Sequence, residues 1–183
     1  GTVTEHTGTL EITDANTTDI TATDITSINT TNTGTITVAN AIDINGSGSE
    51  VKAAFDAIDT NTGNATANIT GTDYTVAQLK AINDATTGAI VLATSTSEAL
   101  SGDATDLAAA LAGTINYTGD VTVTDNAYTI AELVAINAGT TGEIILNSAG
   151  VALSGTVADI KSAFTGTVTE HTGTLEITDA NTT

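Results

Sequence analysis

Apolar and polar residues alternate in short runs all along this chain, and a glycine opens each run. Thr35–Val38 follows Gly34, Asn64–Ile69 follows Gly63, and Ala89–Ala93 follows Gly88. Asp120–Thr124 follows Gly119, Glu143–Leu146 follows Gly142, and Thr174–Thr178 follows Gly173, of which Gly8 is a repeat. Alternation carried by β-branched side chains predicts strands with one inward face. The glycine before each run supplies the turn.

After each predicted strand and a polar link, the period changes from two to three and four. Val76, Leu79 and Ile82 make one apolar stripe, as do Ile130, Leu133 and Ile136. Val51, Ala54 and Phe55, then Leu107, Ala110 and Leu111, then Ile160, Ala163 and Phe164 make three more. Such spacing predicts short amphipathic helices. A capping residue stands three positions before an acid or amide at six places: Thr21 and Asp24, Ser47 and Glu50, Thr75 and Gln78, Asp103 and Asp106, Thr129 and Glu132, Thr156 and Asp159. The first side chain accepts from orphan backbone N–H groups, and the second reaches back or sits at the positive helix end. Gly113 and Gly166 stand where a helix would stop. Helices this short need packing to persist.

The pattern is periodic. Residues 166–183 are identical to residues 1–18, a shift of 165. A weaker repeat of about 55 aligns Ile20–Asn29, Tyr74–Asn83 and Tyr128–Asn137, and each unit halves again. Six coils of about 27 residues, each strand, link, helix and turn, predict an α/β solenoid of parallel strands with right-handed connections. Its geometry would resemble a leucine-rich-repeat stack without that family's asparagine ladder. The alternative is an all-β parallel solenoid in which the helices are only corners. Residues 1–183 then form one continuous segment, with 1–165 one period and 166–183 the start of the next. An open end of such a stack exposes strand edges, so covalent continuation or head-to-tail stacking is expected.

Composition narrows the function. The chain is 40% hydrophobic but 3% aromatic, without Trp, Met, Cys or Pro, so aliphatic side chains must fill the core. Three basic residues against 22 acidic ones give a net charge of −19. That balance excludes nucleic acid, which needs basic side chains to displace counterions, and an anionic membrane surface. It gives divalent cations somewhere to bind, and a saline extracellular setting would screen the self-repulsion. No disulfide framework is possible, and no apolar run is long enough for a transmembrane helix, so membrane insertion is not expected.

Candidate chemistry is sparse. His6 and His171 are one position seen twice, each beside a Glu (Glu5, Glu170). Neither has the partners of a Ser–His–Asp or zinc site, so a solvated turn residue is expected. No acid pair stands apart from the helix starts to serve glycoside hydrolysis. No catalytic, cofactor-binding or metal residue is therefore assigned, and no enzymatic activity is expected. Calcium is the one possible ion. Asp43–Glu50 alternates oxygen ligands around glycines, and Asp14, Asn16 and Asp19 form a second acidic link. The Thr-x-Thr pieces Thr35–Thr37, Thr122–Thr124 and Thr167–Thr169 suggest an ice-binding face. The outward row, however, reads Thr37, Val91, Thr122, Ile145, Glu176 and is not uniform. Val91 and Ile145 in that row point to a lateral contact.

The segments Tyr74–Gly102 and Tyr128–Gly155 share a Tyr-Thr start, an Ala-Ile-Asn helix, Thr-Thr-Gly and Leu-Ser-Gly. In this they resemble repeats of giant repetitive cell-surface proteins of marine bacteria, cyanobacteria in particular. The resemblance runs over essentially the whole chain, least over Ile20–Ile69, and carries no catalytic residues. It implies a structural repeat module of a long extracellular surface protein or filament, stacking head to tail on itself. The alternative is an adhesin or an ice- or calcium-binding array at the cell surface.

Overall fold

The computed structural model describes residues 5–92, 99–112, 117–166 and 168–180. Gly113 and Thr167, Ala93 at the end of its run, and residues 1–4 and 181–183 of the duplicated segment lie outside the described residues. The chain divides into two compact units, Gly1–Thr94 with Gly113–Ile115, and Ser95–Ala112 with Asn116–Thr183.

All six helix starts form where the capping pairs stand. The helices are α1 (Ala22–Thr31), α2 (Gly48–Ala57), α3 (Val76–Ala85), α4 (Ala104–Ala110), α5 (Ile130–Gly139) and α6 (Val157–Ala163). In each, the N-cap side chain accepts from the backbone N–H three residues on. Ser47 with Glu50, Thr75 with Gln78 and Thr129 with Glu132 close full capping boxes. Such a cap contributes about 1 kcal/mol, which matters in helices of two to three turns.

Every glycine-opened run contains a strand: β1 (Leu10–Ile12), β3 (Ile36–Val38), β6 (Thr66–Ile69), β7 (Ile90–Leu92), β9 (Val121–Val123), β10 (Ile144–Leu146) and β12 (Leu175–Ile177). The links contain strands as well: β2 (Asp19–Thr21), β4 (Asp43–Gly46), β5 (Thr60–Asn61), β8 (Leu100–Gly102) and β11 (Leu153–Gly155).

These extra strands correct the expected architecture. The protein is neither a single α/β solenoid of six like coils nor an all-β one. Among the described residues it is an α/β fold of six helices and several separate parallel sheets, ordered β1-β3-β5, β2-β4-β6-β7, β8-β9-β10 and β11-β12. The physical reason lies in the links. Each strand β2, β4, β8 and β11 runs straight into a helix cap and carries one apolar inward residue (Ile20, Ile44, Leu100, Leu153) among polar neighbours. One apolar residue is too few to register as alternation. Once these segments pair, the strands sort into distinct sheets rather than one ladder.

In the first unit, Ile20, Ile44, Ala67 and Ile90 stand side by side across β2, β4, β6 and β7. Ile25, Val51, Phe55, Leu79 and Ile82 from α1, α2 and α3 are buried in the same unit, and the three helices pack in sequence. In the second unit, Leu100, Val121 and Ile144 align across β8, β9 and β10. Leu107, Leu133 and Ile136 from α4 and α5 are buried in the same unit, and α5 packs on both α4 and α6.

Candidate functional site

The calcium candidate Asp43–Glu50 is not a loop. It is β4 running through the N-cap Ser47 into α2. An extended run of this length sets Asp43 and Ser47 about 13 Å apart at 3.3 Å per residue, so its oxygens do not converge. The Glu50 carboxylate is committed to the cap, accepting from Ser47 N at 2.8 Å and Ser47 Oγ at 2.9 Å. Those bonds, the backbone one first, hold its pKa below the usual Glu value. Asn45 Nδ2 donates to Asp19 Oδ1 at 3.0 Å.

In the second acidic link the side chains of Asn16 and Asp19 both accept hydrogen bonds. Asn16 Oδ1 accepts from Ala41 N at 3.0 Å. Asp179, the second copy of Asp14, accepts from Val157 N at 2.7 Å at the start of α6. Asp125 does the same for Ala104 N at 3.0 Å at the start of α4. Among the described residues no group of three or more His, Asp or Glu is arranged to hold a metal ion.

Glu132 shows the same competition in a more covered place. Burial works to raise its pKa, but bonds from Thr105 and Thr129 outweigh it and leave the carboxyl below its ordinary value. Thr105 Oγ1 donates to Glu132 Oε1 at 2.7 Å, a link from α4 to α5. Tyr128 is shifted the other way, upward, first by burial and then by the Asp125 charge. Its hydroxyl donates to Ser148 O at 2.6 Å.

The histidine position occupies two different settings. His6 is exposed, and its Nδ1 lies 2.8 Å from Asn32 Oδ1. His171 is half-buried against Phe164, ring centroids 5.5 Å apart, with Nε2 2.8 Å from Val151 O. Its Nδ1 is buried without a hydrogen-bond partner. His6 is exposed but bridged to Asn32, and His171 is half-buried, so neither is simply a solvated turn residue.

The outward row is not carried by one sheet. Thr37, Val91, Thr122 and Glu176 fall in four different sheets, and Ile145 lies beside Thr122 in the third. Val91 is 40% exposed and Ile145 is half-buried.

Sequence reasoning missed the role of the Thr-Thr-Gly motif. The buried polar residues of the described chain are Asn32, Thr86 and Thr140, the residues that end α1, α3 and α5. Thr140 Oγ1 donates to Gly119 O at 2.7 Å and accepts from Gly142 N at 3.0 Å. Thr86 does the same with Ala65 O at 2.7 Å and Gly88 N at 3.0 Å. Asn32 holds both backbone groups of Gly34. Each side chain ties a helix end to the next strand and to the neighbouring turn. The glycines permit this, since a Cβ on Gly142 would run into the Gly119 carbonyl. The recurring threonine at a helix stop was the available signal.

In the second unit, open grooves of about 330 and 360 Å³ run along α5 and α6, past Val134, Gly155, Asp159 and Ser162. The Asp159 carboxylate accepts from Thr156 Oγ1 at 2.8 Å, so it belongs to a helix start. Among the described residues no helix is long and apolar enough to cross a membrane. No protein-family model, no curated protein and no solved structure matches this chain.

Proposed function

We propose that this chain is a structural repeat module of a long extracellular surface protein or filament, continued head to tail by further copies of itself, without catalytic activity. The observation that carries the reading is the return, after 165 residues, of the same 18-residue sequence. Within each unit the helix starts, parallel pairings and helix-stop threonines also recur. Glu50 and Asp179 serve helix starts, and Thr140 serves a helix end. Such use suits a protein whose product is its own shape. The net charge of −19 favours solubility in a saline medium and gives divalent cations a diffuse partner.

Electron microscopy of chains built from one, two and four periods tests the reading. Particle length is expected to rise in proportion to the number of periods. Compact particles whose length does not follow that number would refute it. Immunogold labelling of intact producing cells tests the location, and label confined to the cell interior would count against it.

A further inference from the structure

The duplicated segment adopts the same strand twice, with opposite edges in use. As β1 it pairs with β3, Leu10 opposite Ile36 and Ile12 opposite Val38, and Leu10 N donates to Thr35 O at 2.8 Å. As β12 it pairs with β11, Leu175 opposite Leu153 and Ile177 opposite Gly155. There Thr174 O accepts from Leu153 N at 2.8 Å, and Thr178 N donates to Gly155 O at 3.0 Å. Alternate residues of a strand present their backbone groups to opposite edges, so the two sets of bonds do not compete.

Strand β9 shows both sets together. Val121, 54 residues before Leu175, donates to Glu143 O at 2.8 Å on the β10 side. On the β8 side Asp120 O accepts from Leu100 N at 3.0 Å, and Thr124 N donates to Gly102 O at 2.9 Å. Ile36, Ile90 and Ile144 are likewise 54 residues apart. The triads Ile44–Ala67–Ile90 and Leu100–Val121–Ile144 are complete in the first and second units. The third triad, Leu153–Leu175–Ile36, is split, with its middle strand present in two copies.

Resting on the repeat-module reading, we infer that β12 of one copy takes β3 of the next copy on its second edge, in the register Leu175 to Ile36 and Ile177 to Val38. One 18-residue segment then serves as the last strand of one period and the first strand of the following one.

Two observations independent of the pairing point to the same joint. The first is burial. Val121 and Val123, the counterparts of Leu175 and Ile177, are 0% exposed, whereas Leu175 is 43% and Ile177 61% exposed. The other large exposed apolar residues include Val157 on α6 and Ile28 on α1, the helices that flank this segment. The second is the histidine. The buried Nδ1 of His171 has no partner, and the same atom of His6 is held by Asn32 Oδ1. Conversely His171 Nε2 holds Val151 O. In the proposed joint Asn32 of the following copy comes beside the buried Nδ1, in the place Asn32 holds beside His6.

The test is a chain of two periods, residues 1–165 followed by 1–183, compared with the 183-residue chain by amide hydrogen exchange. In the longer chain the Leu175 and Ile177 amides at the internal joint are expected to exchange about tenfold more slowly or better, approaching Val121, the gain due to one or two new backbone bonds. Equal exchange in both chains would overturn the inference. A second measurement uses the 183-residue chain carrying Leu10→Asp and Ile12→Asp, which opens the β3 edge. By sedimentation it should form a concentration-dependent head-to-tail series, and adding Leu175→Asp and Ile177→Asp should return it to single copies. A folded double variant that stays single, or a fourfold variant that still assembles, overturns the joint. Particle length rising with period number while joint amides stay unprotected would leave the repeat-module reading intact and remove this inference alone.

Discussion

Thr140→Val removes one oxygen atom from the second unit and changes almost nothing else in volume. The hydroxyl it deletes donates to the buried Gly119 carbonyl at 2.7 Å and accepts from Gly142 N at 3.0 Å. Two hydrogen bonds are lost at about 1 kcal/mol each, and the Gly119 carbonyl is stranded away from water, which costs about 1–3 kcal/mol in its own right. The added methyl recovers less than about 1 kcal/mol. The net loss should be about 2–4 kcal/mol. Thr140→Ser keeps both bonds and gives up one methyl group, so it should lose about 1 kcal/mol or less. Urea unfolding followed by circular dichroism measures both. The two compact units call for separate transitions to be fitted if they appear. Thr86→Val in the first unit, with the same two bonds, should match Thr140→Val. The reasoning is refuted if the valine variant loses less than about 0.5 kcal/mol, or if serine costs as much as valine.

Other outcomes follow from the same contacts. The folded pKa values of Glu50 and Glu132 lie below the ordinary Glu value of about 4.5. Their stabilisation is therefore complete above pH 4.5 and lost as pH falls through the lowered values. Urea midpoints measured down the acid range should show this. Glu132→Gln should flatten the acid loss at that site, because Gln78 closes the equivalent box of α3 uncharged. Thr129→Ala removes the α5 cap and should cost about 1 kcal/mol in a urea titration. Leu133→Ala opens a hole at a fully buried position and should cost about 2–5 kcal/mol.

The six capping pairs were legible because a cap is a local bargain: Thr129 and Glu132 need only each other and the backbone between them. The glycine-opened strands were legible for the same reason, since alternation declares an inward face. Strands β2, β4, β8 and β11 were not, because three or four residues with one apolar member carry too little pattern, and only a neighbouring strand fixes them. That omission is why one stack was expected where several sheets exist. The oxygens of Asp43–Glu50 looked like ligands until tertiary structure stretched them along a strand and gave Glu50 to the cap. Sequence by itself determined the period and the helix starts, which depend on residues a few positions apart. Tertiary structure alone decided which edge each strand uses, and why His6 and His171, identical in sequence, differ in burial and bonding. Those properties belong to partners about 20 to 26 residues away, and no local pattern encodes them.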